Sequence, residues 1–169
     1  MEINMQIKIS ELISLCLTFL GLLATIVGGC FALIQWNMST RLKRAELLNE
    51  AITKIRDDPQ FAEILSRIDY GEQWYTNDFH SNREMESQYD RVFAYMDYLC
   101  YLKKRRILKS KDFRIFEHRM QRIAHNKDSI DYLQFLCYFS KLNNTTMSFP
   151  HLLEYLEDKS LLPDNFMDF

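Results

Sequence analysis

The chain has 169 residues, enough for an anchoring segment and one compact domain. Four glycines and three prolines are too few for a turn-rich β fold, so the composition points to helices. A formal net charge of −2, with no recognisable reading module, argues against a protein built to grip long nucleic acid.

Residues 12–34 form a run of 23 residues with no ionisable side chain except the thiols of Cys16 and Cys30. As a helix this run reaches about 34 Å, enough to cross a hydrocarbon core of about 30 Å. Only Lys8 precedes it as a basic residue, and Gln35, Trp36, Asn37 and Met38 after it make a poor cleavage context, so the expectation is an uncleaved anchor. Arg41, Lys43 and Arg44 follow closely, which predicts an N-terminus outside and a C-terminal domain in the cytoplasm. Along the span, Ser14, Thr18, Gly21, Thr25, Gly28, Ala32 and Gln35 recur at alternating steps of four and three. That is the period of a helix–helix seam, and every residue on it is small or polar. The seam predicts a homo-oligomer, with Leu15, Phe19, Leu22, Ile26 and Phe31 left to lipid.

Beyond the anchor (1–36), a juxtamembrane helix (37–57) is expected to carry Leu42, Ala45, Leu48, Ile52 and Ile55 on one stripe. A cytosolic α-helical domain (58–169) of about five helices follows. Asp58 is placed to cap the next helix, with Pro59 in its first turn and Gly71 ending it. Residues 72–82 read as a polar loop holding Trp74, Tyr75 and Phe79. A helix over 83–104 buries Tyr89, Val92, Phe93, Met96, Leu99 and Cys100. Ser110 is expected to cap a helix bearing Phe113, Phe116, Met120 and Ile123. Ser129 is expected to open another, apolar almost all round through Leu133, Leu136, Tyr138 and Phe139, and therefore central. Ser148 and Pro150 begin the last, with Leu153 and Leu156. The tail, 161–169, is acidic and hydrophobic. The fold class is thus all-α, one transmembrane helix and then a helical bundle.

Charge is uneven. Residues 101–127 hold ten Lys or Arg against Asp112 and Glu117, whereas 128–169 hold seven acids against Lys141 and Lys159. Arg114, His118 and Arg122 are spaced at i, i+4 and i+8 on one helix face, with Arg119 beside them and Lys111 one turn before. Guanidinium groups offer planar donor forks suited to phosphate or carboxylate, so these five residues are the candidate ligand site. The anions that fit are the inner leaflet, a small nucleotide-type ligand, or the protein's own acidic C-terminal part.

Catalytic chemistry is not visible. The cysteines Cys100 and Cys137 sit in apolar helices without C-x-x-C spacing, and His80, His118, His125 and His151 are scattered, so no metal site is expected. No glycine-rich phosphate loop or nucleophile elbow is present. The expectation is a protein that is not an enzyme and uses no cofactor.

The segment YDRVFAYMDYLCYLKKRRILKSKDFRIFEHRMQRIAHNKDSIDYLQFL, residues 89–136, carries an aromatic helix, a basic turn, an I-L-x-x-x-x-F step (Ile107, Leu108, Phe113) and a closing Y-L-x-F-L (Tyr132 to Leu136). It resembles small bacterial membrane proteins that pair one N-terminal span with a helical cytosolic domain. Their architecture is similar to that of membrane effectors of type III CRISPR anti-phage defence, which sense a cyclic oligoadenylate. The resemblance implies a bacterial inner-membrane location and no assigned reaction; the coincidence of the seam with the basic face leads to the expectation of a sensor-effector, in antiviral defence, that perturbs the bilayer through oligomerised spans. The alternative is a tethered scaffold that docks a protein partner through Trp74, Tyr75 and Phe79 or through Phe166 and Phe169.

Overall fold

The structure is a computed structural model that describes residues 2–166, with side chains described from Ser14 onward. It is all-α, with no strand among the described residues. The helices are α1 (Glu2–Asp57), α2 (Pro59–Tyr70), α3 (Arg83–Lys104), α4 (Ser110–His125), α5 (Lys127–Leu142) and α6 (Pro150–Asp158), with a 3₁₀ turn at Phe79–Ser81. The chain divides into two compact units between Glu46 and Leu47.

In the first unit α1 stands alone. Leu15, Phe19, Ile26, Val27, Phe31 and Trp36 are all more than half exposed. Each such side chain gains roughly 1.5 kcal/mol or more on leaving water. Among the described residues this is the one helix long and apolar enough to cross a membrane, which makes it a candidate span. The Thr18 hydroxyl donates to the Ser14 carbonyl at 2.8 Å and the Thr25 hydroxyl to the Gly21 carbonyl at 2.9 Å. Within one chain these hydroxyls are therefore satisfied along the helix itself. A methyl group on Gly21, Gly28 or Gly29 would meet nothing within 4 Å among the described residues.

The second unit begins with the last turns of α1. Ala51 is buried there, and Leu47, Leu48, Ile52 and Ile55 pack against the core, whereas Leu42 is 62% exposed. Asp57 ends α1. Asp58 accepts from the Gln60 and Phe61 N–H groups at 3.0 and 3.4 Å, Pro59 takes the first helical position, and Gly71 closes α2 at φ 67°.

The centre of the bundle is α3, not α5. Val92, Phe93, Met96 and Leu99 of α3 have no exposed surface, and α2, α4, α6 and the 3₁₀ turn all pack on this helix. The apolar residues of α5 are split: Tyr132, Leu133 and Cys137 face inward, while Tyr138 and Phe139 are about half exposed at 47% and 50%. Residues 72–82 are not a polar loop with protruding rings. Trp74 and Phe79 are buried, Trp74 stacks on Tyr89 with ring centroids 3.9 Å apart, and Phe79 and Tyr132 close the cluster. The Asp128 carboxylate holds this segment in place by accepting from the Trp74 and Tyr75 N–H groups at 2.6 and 2.9 Å. Phe166 is likewise buried; Phe169 lies outside the described residues.

Three expected caps differ. Ser110 is the first residue of α4 rather than its cap, because the chain enters from extended Lys109, which makes no side-chain capping bond. Asn126 rather than Ser129 opens α5: its Oδ1 accepts from both the N–H and the hydroxyl of Ser129, and its Nδ2 donates to the Ile68 carbonyl at the end of α2. Ser148 does not cap α6. The residue before α6 is Phe149, left-handed at φ 53° without a capping bond, and the carboxylate of Asp97 on α3 does the work by accepting from His151 and Leu152 N–H at 2.6 and 2.8 Å.

Candidate ligand-binding cleft

A cleft of about 600 Å³ opens in the second unit where the end of α1, α2 and α4 converge. The α1 wall is Ile52, Ile55 and Arg56; α2 contributes Ala62, Ser66, Asp69 and Tyr70; α4 contributes Ile115, Phe116, His118, Arg119 and Arg122. The amphipathic pattern of α4 explains the arrangement. Phe113, Phe116, Met120 and Ile123 go into the core, which turns the basic edge of the helix outward beside them.

Three of the five expected ligand residues, His118, Arg119 and Arg122, line this cleft. Arg114 and Lys111 are exposed on α4 but lie off it. Arg119 and Arg122 are not bare. Asp69 on α2 forms an ion pair with Arg119 through Oδ2, and its Oδ1 stands 3.5 Å from Arg122 Nε. That second contact is longer than a hydrogen bond, and Asp69 Oδ1 is buried without a hydrogen-bond partner. Arg56 is tied to its neighbour Asp57 at 2.7 and 3.1 Å, and the paired carboxylate raises the Arg56 guanidinium above its ordinary value, the hydrogen bond being the larger cause. The lining therefore sets three guanidinium groups against one carboxylate. With Arg56 already matched by Asp57, one positive charge is left over in the lining of the cleft.

A second, smaller cleft of about 410 Å³ shares Asp69, Tyr70 and Arg122 with the first. Its remaining charged lining is Glu72, Asp128 and Lys127, so it is net acidic. An anion is thus favoured on one side of Tyr70 and disfavoured on the other.

The other basic residues have different partners. Lys104 pairs with Glu154 of α6 at 2.6 Å, and Lys103 lies over the Tyr155 and Phe113 rings at 4.1 and 5.0 Å. Burial pushes the Lys103 ammonium below its ordinary value. Part of the basic block therefore serves the chain's own acidic last helix.

The site residues that the sequence did not single out are Asp69, Tyr70, Ser66, Arg56, Ala62 and Ile115, with Ile52 and Ile55 read only as part of an apolar stripe. Asp69 and Arg119 are separated by 50 positions, and no local pattern links them. Among the described residues no group of His, Cys, Asp and Glu is arranged to hold a metal ion. Seam residues Ser14, Thr18, Gly21, Thr25, Gly28 and Ala32 all lie exposed on α1. No family model, curated protein or solved structure matches the chain.

Proposed function

We propose that this protein is a membrane-anchored sensor whose helical unit binds a small anionic ligand in the cleft at His118, Arg119 and Arg122. The observation that carries the reading is the makeup of that cleft: an excess of guanidinium groups over carboxylates, beside a wall built from α1. The same helix, unbroken from Glu2 to Asp57, contains the candidate span. A ligand that touches Ile52, Ile55 or Arg56 acts on the helix that enters the bilayer. For a signal to result, the ligand must favour one arrangement of the spans over another. The response we assign is altered packing of spans along the small-residue seam, with the bilayer disturbed as the output and no chemical step catalysed. The basic residues after the span support a cytoplasmic helical unit, and the architectural resemblance supports the bacterial inner membrane, antiviral defence and a cyclic nucleotide as signal.

The test uses the full chain in neutral-lipid nanodiscs, titrated calorimetrically with inorganic phosphate, mononucleotides and cyclic oligoadenylates. The Arg119→Gln, Arg122→Gln double variant should lose at least about tenfold in affinity for whichever anion binds. Equal binding by the double variant removes the site; absence of binding by every anion removes the sensor reading.

A scaffold reading keeps one supporting observation. The expected docking rings Trp74 and Phe79 are in the core, but Tyr138, Phe139 and Leu142 form an exposed apolar edge on α5. A stoichiometric partner lost on Phe139→Asp and retained on removal of the span would favour it.

A further inference from the structure

We propose that the cleft takes an amphiphilic anion, one phosphate or carboxylate group on an apolar body, and that Asp69 occupies the place of that anionic group until the ligand displaces it. The inference rests on the anion-binding reading above and names the chemistry of its ligand.

Asp69 already shows where an anion is held. Its carboxylate reaches Arg119 through one oxygen and comes within 3.5 Å of Arg122 with the other. Two guanidinium groups converging on one carboxylate is the geometry by which arginines recognise an oxyanion. Yet Asp69 fills the place imperfectly. Its side chain is fixed at the end of α2, and Oδ1 gains no hydrogen bond although it is buried. A ligand phosphate, with three oxygens and no tether, satisfies both arginines where Asp69 satisfies one. Breaking the Asp69–Arg119 pair has a cost, since the Arg119 and Asp69 side chains are only 34% and 23% exposed, and the ligand offsets it by reaching both arginines.

The rest of the cleft dictates the body of the ligand. Beside the arginines lie Ile52, Ile55, Ile115 and Phe116, with Tyr70 81% exposed at the rim. Ile115 is itself 53% exposed, an apolar surface that a purely polar ion would leave wet. A body of ring or hydrocarbon character covers it. The acidic second cleft beyond Tyr70 bars a second anionic group on that side. The ligand therefore carries its charge at one end, which among the nucleotides named above fits a mononucleotide and not a cyclic oligoadenylate with phosphates all round its ring.

The experiment uses the full chain in phosphatidylcholine nanodiscs and two probes, phenyl phosphate and inorganic phosphate, with Asp69→Asn and Asp69→Ala compared with wild type. The expected result is phenyl phosphate binding at least about tenfold tighter than inorganic phosphate. Asp69→Asn and Asp69→Ala should each bind phenyl phosphate several-fold to about tenfold tighter than wild type, with unchanged helicity. Two variants are used because Asp69→Ala also removes any remaining bond to Arg119. If phenyl phosphate and inorganic phosphate bind equally, in a manner that needs Arg119 and Arg122, the amphiphile is wrong and the anion site survives. If neither Asp69 variant gains affinity, Asp69 is a structural partner and not a stand-in. If neither probe binds wild type or either variant, the inference and the reading beneath it both fall. Repeating the titration with phosphatidic acid in the nanodisc separates sources: loss of phenyl phosphate binding assigns the site to a lipid headgroup, and retention assigns it to a soluble ligand.

Discussion

Cysteine crosslinking tests the seam directly, because the chain carries its own negative control. At 100° per residue, the residues Ser14, Thr18, Gly21, Thr25, Gly28 and Ala32 cluster within about 40° of one line along α1. Cys16 and Cys30 fall about 160° from that line, on the opposite side. For two helices whose axes are 8–10 Å apart, with Cα atoms about 2.3 Å from each axis, seam positions bring Cα atoms to about 4–5 Å. That is within or close to the range in which disulfides form. Residues on the far side are then about 13–15 Å apart, well beyond a disulfide's reach. Native membranes containing the wild type should therefore oxidise slowly to dimer under copper phenanthroline. A Cys16→Ser, Cys30→Ser chain with Ala32→Cys should oxidise at least about tenfold faster, read on non-reducing gels. If wild-type Cys16 and Cys30 crosslink as fast as the seam cysteine, the spans meet on the other face, and the seam has no role in assembly.

Other predictions concern the helical unit. Asp97→Ala removes the one side chain that caps α6 among the described residues and should cost about 2 kcal/mol in urea unfolding, while Asp97→Asn, which keeps the acceptor, should cost less than about 1 kcal/mol. Equal losses from the two would mean that the cap contributes little. Asp90 is held above the ordinary carboxylate range, mainly by burial, although the Tyr132 hydroxyl that donates to it acts the other way. The folded state then holds the proton more tightly than the unfolded chain, so this group's contribution is full below its unfolded value and is lost as pH rises through the folded one. Asp90→Asn should therefore gain stability relative to wild type as pH rises above the ordinary Asp value of about 4; a difference that stays flat with rising pH refutes the shift. Ser160 closes α6 in a left-handed conformation at φ 53°, so Ser160→Gly should raise unfolding stability by about 0.5–1 kcal/mol, with no change meaning that the backbone there carries no strain.

The parts of the fold that were legible in the sequence are those set by neighbours in the chain. Asp58 and Pro59 start α2, Gly71 ends it, and the spacing of Phe113, Phe116, Met120 and Ile123 fixes which edge of α4 is basic. With Gly71 as the one glycine after the span, the ends of α3, α5 and α6 use Arg106, Asn144 and Ser160 at positive φ, and of these only asparagine is a residue type that favours it. The reading of α5 as central failed because Tyr138 and Phe139 count as apolar whether or not anything covers them. Trp74 and Phe79 do lie between helices as expected, but their burial is not legible, because burying an irregular segment depends on a distant acid to satisfy its N–H groups.

That dependence recurs across the bundle and decides the site. Asp128 holds the Trp74 segment, Asp97 caps α6 and Asp69 meets Arg119, each across 50 or more positions. A carboxylate on a helix surface has many cations and N–H groups within reach of some fold, and only packing selects one. A basic row on α4 could therefore be found from spacing alone, but whether that row was open, tied to lipid or already holding an anion could not. The presence of Asp69 turns a plain cationic patch into a site with an occupant. A ligand there must outcompete an internal carboxylate, which a bare phosphate in high dielectric does poorly and an anion with an apolar body does well, since burying its hydrocarbon adds about 25 cal/mol per Å² that Asp69 cannot match.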